Sequence, residues 1–162
     1  MGHRAPVALA GGTVLADGLR KPLSLLRWRR GLQAMARACG QAEERDQAGM
    51  LREMRALLAR APAPALLGGL ALPDAASFEG WLDEQCCDSA ALALLGADAG
   101  YMLSRGPQGR HLASILLPEA GEETMAAGST LALALVRAIA LALAQDAGIR
   151  RAHVARTPRR LH

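Results

Sequence analysis

The scarcity of aromatic residues is the feature that most restricts how this chain can fold. Only 2% of its 162 residues are aromatic, whereas 51% are hydrophobic. Leucine and alanine must therefore form most of the core, and side chains of this kind pack closely between helices. The same scarcity leaves few rings on which nucleic-acid bases could stack.

Two amphipathic helices are predicted near the N-terminus. In residues 22–39 apolar side chains recur at helical spacing on one face, and arginines occupy the opposite face. Gly40 is a suitable helix terminator, and the same pattern returns in residues 43–60. The two segments predict a helical hairpin that ends at the proline-containing residues 61–64.

A central helix and a β-hairpin are predicted next. Asp74 or Ser77 can cap a helix that extends to Leu95 with a kink near Asp88. Two short segments, GYMLS and HLASILL, then flank a Gly-Pro-Gln-Gly sequence at residues 106–109, which suits a type I turn. A hairpin is the simplest interpretation of this pattern.

An acidic loop and a long final helix are predicted after the hairpin. The loop extends from Glu119 to Gly128. Ser129 or Thr130 can then cap a helix that ends near Gly148, because the segment consists mainly of strong helix formers. The residues expected to be buried on the apolar faces of the helices are Trp28, Leu32, Met35, Leu57, Leu58, Leu135, Ile139 and Leu143.

The predicted fold class is α+β and mainly helical, with an N-terminal helical pair, a central helix, one β-hairpin and a long C-terminal helix. Residues 1–21 are expected to form a flexible lead. Residues 22–149 are expected to form one domain, with residues 61–64 as its candidate internal boundary. Residues 150–162 are expected to form a basic tail.

Cysteine usage and hydropathy indicate where the protein resides. Three cysteines are too few for a disulfide framework, so a reducing, cytoplasmic location is expected. The most apolar run, residues 131–144, contains Arg137 and falls short of the ~20 residues that a membrane-spanning helix needs. A soluble protein is therefore expected.

Charge is distributed unevenly along the chain. Residues 1–60 carry eleven Lys or Arg against five acids, residues 61–149 carry three against ten, and residues 150–162 carry five against none. Basic segments at both ends could contact phosphates, or the acidic middle could neutralise the basic front. The candidate basic surface comprises Arg29, Arg30, Arg37, Arg150, Arg151, Arg156, Arg159 and Arg160.

The final helix carries apolar residues on two faces. Leu133 and Leu141 flank Arg137 on the side opposite the predicted core face. Such a helix is either sandwiched between the hairpin and another helix, or it lends its second face to a partner chain. Leu133, Arg137 and Leu141 are therefore candidate interface residues, and the unpaired hairpin edge is a second candidate for self-association.

Few residues suggest a catalytic centre. The sequence contains no phosphate-binding loop, nucleophile elbow or zinc-binding helix motif. Cys86 and Cys87 are adjacent and have acidic neighbours, which disfavours both zinc chelation and thiolate chemistry. His111 could act as an acid or base with carboxylates of the segment from Glu119 to Glu123. No cofactor and no metal are predicted.

These observations favour a small non-enzymatic binding or regulatory protein that acts through self-association or a protein partner. The alternative is a nucleic-acid-binding protein that uses the basic N-terminal helix and the arginine tail. A further alternative is a small enzyme built around His111 and the Glu119–Glu123 loop.

Overall fold

The chain, described at residues 21–118 and 121–156 by a computed structural model, is a mainly helical α+β protein, as predicted. Within these ranges it forms five α-helices and one three-stranded antiparallel sheet. The helices are α1 (Leu25–Gln41), α2 (Gln47–Leu58), α3 (Ala75–Asp83), α4 (Cys87–Leu92) and α5 (Leu131–Arg156). The strands are β1 (Gly100–Arg105), β2 (His111–Leu116) and β3 (Thr124–Gly128).

The two N-terminal helices pack together as the predicted helical hairpin. Ser24 caps α1, because its hydroxyl oxygen accepts a 3.4 Å hydrogen bond from the backbone nitrogen of Arg27. The indole nitrogen of Trp28 donates a 2.8 Å hydrogen bond to the carbonyl oxygen of Leu57 in α2. This bond satisfies the polar atom of a buried ring and joins the two helices.

The predicted core residues are buried, with one exception. Leu57 lies over Gly31 at the margin of the contact between α1 and α2, and it stays half-buried. The periodicity of the helices therefore assigned the core faces correctly. The buried members of the predicted set are Trp28, Leu32, Met35, Leu58, Leu135, Ile139 and Leu143.

The predicted central helix is divided into two. Asp74 caps α3, since its carboxylate accepts a 2.9 Å hydrogen bond from a backbone nitrogen in the first turn. The chain leaves α3 at Gln85, whose φ of 59° is left-handed, and the nitrogen of Cys86 donates to the carbonyl oxygen of Trp81 at 2.7 Å. In place of the kink expected near Asp88, the structure has a complete break between α3 and α4, and this break lies before Asp88.

The sheet contains one more strand than predicted. β1 and β2 form the expected hairpin, and β3 pairs antiparallel with the other edge of β2. The interpretation of residues 119–128 as a loop is therefore wrong at β3. Met125 is the only large apolar residue of this short strand, so its sequence pattern is weak, and packing on α5 stabilises it instead. Within the hairpin turn, Gln108 has φ 62°, which a type I turn does not allow.

The long helix α5 lies between the sheet and the other helices. It packs against β2 and β3 on one side and against α1, α2 and α4 on the other. Of the two alternatives that the sequence offered for this helix, the structure has the sandwiched one. Thr130 caps it, because its Oγ1 accepts a 3.2 Å hydrogen bond from the nitrogen of Leu133. The helix continues to Arg156, so the end predicted near Gly148 is wrong. No helix in the described residues combines the length and hydropathy that crossing a membrane requires.

The buried core continues across residues 61–64. Leu51 and Leu58 precede this segment, Phe78 and Leu94 follow it, and all four belong to one cluster of buried residues. The predicted N-terminal lead, apart from residue 21, and the last six residues of the predicted tail lie outside the described residues.

Candidate functional site

The outer face of the sheet, opposite α5, carries exposed apolar side chains. Met102, Leu116 and Met125 expose 64%, 45% and 64% of their surface, and we call these three residues the outer patch. The strand register places Met102 and Met125 on either side of Ser114. The three strands of the sheet thus share one exposed apolar patch on the face opposite α5.

A polar group lies at the centre of the outer patch. The side chain of Ser114 is buried, and its hydroxyl donates a hydrogen bond to the carboxylate of Glu123. Around this pair lies a depression of about 290 Å³, which is lined by Gly100, Tyr101, Met102, Ser114, Leu116 and Glu123. The depression thus combines an apolar rim with one hydrogen-bonded polar pair.

The two edges of the sheet differ. The edge of β3 is covered, because the Arg137 guanidinium donates a 2.9 Å hydrogen bond from Nη1 to the carbonyl oxygen of Ala127 and because α1 also contacts this strand. The outer edge of β1 pairs with no strand in the described part of the chain. Every residue of β1 except the half-buried Leu103 is exposed. β1 is therefore the accessible edge of the sheet.

A second, polar groove lies at the N-terminal end of α5. Its volume is about 520 Å³, and its lining includes Cys86, Cys87, Arg105 and His111. Asp88 stands at one side of this groove, where its carboxylate accepts a 3.2 Å hydrogen bond from the nitrogen of Ala132 in α5. Asp88 is thus a second cap of this helix, supplied by α4.

The buried thiol of this groove, that of Cys87, is poorly suited to nucleophilic chemistry. Burial raises the pKa of the Cys87 thiol, and the negative charge of Asp88 raises it further. Cys86 is exposed, and its thiol donates a weak hydrogen bond to the carbonyl oxygen of Glu84. Across residues 21–118 and 121–156, no three His, Cys, Asp or Glu side chains are grouped so as to hold a metal ion.

Among the described residues, the structure does not bring His111 to the carboxylates proposed to act with it. His111 lines the polar groove, whereas Glu123 is bonded to Ser114 in the depression on the outer face. Glu122 is exposed, and Glu119 lies outside the described residues. The acid–base set that the sequence suggested is therefore not assembled at His111 by the described residues.

The candidate interface on α5 is occupied by the chain itself. Leu133 has no exposed surface and Leu141 is packed against the core, so the prediction that Leu133 faces a partner is wrong. Arg137 lies between α1 and β3, where its guanidinium is about 3 Å from the position that a Cβ atom on Gly40 would take. The sheet and the neighbouring helices cover both apolar faces because α5 is the central element of the fold.

The candidate basic surface is only partly free. Arg29 is half-buried, and its Nε donates a 3.2 Å hydrogen bond to the carbonyl oxygen of Ala144 in α5. Arg30 and Arg37 are exposed on α1. Of the remaining members, Arg150, Arg151 and Arg156 belong to the C-terminal part of α5, and Arg159 and Arg160 lie outside the described residues.

The acidic middle of the chain neutralises part of the basic front. The guanidinium of Arg52 lies 2.8 Å from Oε2 of Glu79 and 3.9 Å from Oδ1 of Asp83. Such surface pairs contribute little stability, but they occupy a cation that phosphate contacts would need. This contact is the internal neutralisation that the charge distribution suggested, although Arg52 is not part of the candidate basic surface.

The outer patch was missed by sequence reasoning, although one signal for it was present. In β2 the alternation of Leu112, Ser114 and Leu116 places these residues on one face, while Ala113 and Ile115 face α5. The face opposite the core was thus partly apolar by sequence alone. Met125 could not be added to it because β3 was not predicted.

The chain matches no protein-family model, no curated protein and no solved structure. The geometry of the sheet therefore carries the functional proposal.

Proposed function

We propose that this chain is a small non-enzymatic binding or regulatory protein that binds other polypeptides through its sheet. The binding surface consists of the outer patch and the accessible edge of β1. One observation carries the proposal: β1 is exposed on both faces and along one edge, and Met102 at its centre exposes 64% of its surface. Sheets bind further chains through exposed apolar side chains and through backbone N–H and C=O groups that are unpaired at a strand edge.

The proposed surface suits a polypeptide better than a small substrate. The depression of about 290 Å³ is open and mostly apolar, with the Ser114–Glu123 pair as its polar centre. Neither the raised pKa of Cys87 nor the separation of His111 from Glu123 favours a reaction centre. The proposal also includes a reducing compartment such as the cytoplasm, which the free thiols of Cys39, Cys86 and Cys87 favour.

Replacing Met102 tests this function. Met102→Glu places a carboxylate at the centre of β1, where a bound polypeptide would have to bury it. We expect this variant to lose self-association, measured by sedimentation velocity, or to lose a protein partner that the wild type retains in affinity capture. Its thermal unfolding should stay close to that of the wild type because the side chain is exposed.

Leu26→Glu is the matched control, since Leu26 exposes 41% of its surface and belongs to α1 rather than to the sheet. It should keep whatever association the wild type shows. The proposal fails if two results are found together. The wild type does not self-associate, and it captures no partner that Met102→Glu loses and Leu26→Glu keeps.

A further inference from the structure

We infer that the polypeptide bound at the β1 edge is a second copy of this chain, so that two three-stranded sheets join into one antiparallel sheet of six strands. This inference rests on the proposed function, because it names the partner of the same surface. It makes the hairpin edge, rather than the C-terminal helix, the site of self-association.

The backbone of β1 presents hydrogen-bonding groups at its edge that pair with no other strand among the described residues. The nitrogen of Gly106 donates a 2.8 Å hydrogen bond to the carbonyl oxygen of Arg110, which fixes the alternation of bonded and non-bonded pairs along the hairpin. The N–H and C=O groups of Tyr101, Leu103 and Arg105 consequently point away from β2. These six groups match the pattern that a further antiparallel strand requires.

The edge of β1 lacks the features that usually prevent strands from pairing. It contains no proline, its register with β2 is unbroken by a bulge, and its only charged residue, Arg105, is at its end. The edge of β3, in contrast, is covered by the Arg137 guanidinium on the carbonyl oxygen of Ala127. Only one of the two edges is therefore prepared to accept another strand.

The sequence of β1 is complementary to itself in the antiparallel direction. With a twofold axis at Leu103, Tyr101 lies opposite Arg105 of the partner subunit, and Met102 lies opposite Ser104 of the partner subunit. A guanidinium beside an aromatic ring is a favourable cross-strand pair, and no like charges oppose each other. The second copy therefore matches this edge without any charge conflict.

Pairing would also cover apolar surface that the single chain leaves exposed. Tyr101 belongs to the face of the sheet that carries Ile115, yet it exposes 55% of its surface, because α5 packs on β2 and β3. A second β1 strand would extend the sheet next to Tyr101 and the half-buried Leu103. The gain is the burial of these side chains together with the new backbone hydrogen bonds.

Proline at the edge tests the inference without touching the internal pairing of the sheet. Arg105→Pro removes an N–H group that points away from β2, so the chain should still fold, and at concentrations where both proteins are monomeric its melting temperature should stay close to that of the wild type. Each dimer would lose two backbone hydrogen bonds and two Arg–Tyr pairs. We expect its dissociation constant, measured by sedimentation equilibrium, to rise about tenfold or more. Arg105→Ala keeps the N–H group and should raise it less.

A cysteine on the proposed axis tests the register. Opposite residues of a bonded antiparallel pair have Cα atoms about 5.5 Å apart, which a disulfide can span. In a Cys86→Ser background, which removes the exposed native thiol, Leu103→Cys should form a covalent dimer on mild oxidation. Met125→Cys in the same background should not, since β3 lies two strands further from the axis.

The outcomes separate the inference from the proposed function. A wild-type dimer that Arg105→Pro weakens and that Leu103→Cys links covalently supports the inference. A wild type that stays monomeric at its highest soluble concentration overturns it, as does a dimer that Met102→Glu disrupts but Arg105→Pro does not. A dimer that only Met102→Glu disrupts leaves the proposed function standing. A monomeric wild type also leaves it standing if the wild type captures a protein partner that Met102→Glu loses.

Discussion

The backbone of Gly128 in β3 lies directly against the backbone of Ala134 in α5. A Cβ atom on Gly128 would be 2.5 Å from the nitrogen of Ala134 and 2.9 Å from its Cα atom. Atoms that are not bonded to each other do not approach so closely, so only glycine allows this contact. The contact positions the last strand on the central helix.

Gly128→Ala should therefore destabilise the protein strongly. The strand or the helix must move to admit the methyl group, which should lower the free energy of unfolding by about 1–3 kcal/mol or more. Chemical denaturation measures this change. Gly80→Ala is the control: Gly80 is exposed within α3 and no atom lies within 4 Å of an added Cβ. That variant should be more stable by about 0.5–1 kcal/mol, and equal effects at both glycines would contradict the packing described here.

Leu135→Ala should lower the stability of the protein, because Leu135 lies on the core face of α5. Leu135 is fully buried, so truncation should cost about 2–5 kcal/mol through lost burial and the cavity left behind. Leu26→Ala, at a site with 41% exposure on α1, should change the stability by less than about 0.5 kcal/mol. A melting shift near zero for Leu135→Ala would place that residue on the surface instead.

Asp88→Ala should weaken the start of α5. The variant removes the acceptor for the nitrogen of Ala132, and loss of such a cap costs about 0.5–2 kcal/mol. Asp88→Asn should retain most of the stability, because its amide oxygen can still accept this bond. If Asn and Ala variants unfold at the same temperature, the capping role is refuted.

The stability of the protein should fall at alkaline pH because of Cys39. Burial raises the pKa of this thiol from 9.0 to about 12, although the positive charge of Arg137 opposes the shift. Above pH 9 the unfolded chain releases the proton while the folded chain keeps it, so unfolding becomes more favourable as the pH rises. The contribution is up to about 1.4 kcal/mol per pH unit between these two values. Cys39→Ala, followed by denaturation at several pH values, should show a shallower decline, and an unchanged slope would argue against this cause.

Alkylation of the native protein should modify a single cysteine. Cys86 is exposed, whereas Cys39 and Cys87 are buried and burial raises the pKa of both thiols. Iodoacetamide near neutral pH should therefore label Cys86 alone, and all three should react after denaturation. Mass spectrometry of the digested protein reads this out, and native labelling of Cys87 would show that the polar groove opens.

Much of the local structure could be predicted from the sequence. Helical periodicity placed Trp28 and Leu32 on the buried face of α1, and the cap at Asp74 and the hairpin around residues 106–109 followed from residue types with specific backbone preferences. The break at Gln85 could not be predicted, because no glycine or proline marks it and a left-handed glutamine has no strong sequence signal.

The sequence by itself determined roughly where the helices lie, which faces of α1 and α2 are apolar and where the hairpin turns, since these depend on neighbours within a few residues. The tertiary structure decided that Leu133 is core rather than interface, because burial depends on which elements cover a face. It also decided that β3 exists and that Met102 and Met125 share one exposed surface, because a weakly patterned strand forms only where a neighbouring strand and the backbone of α5 stabilise it.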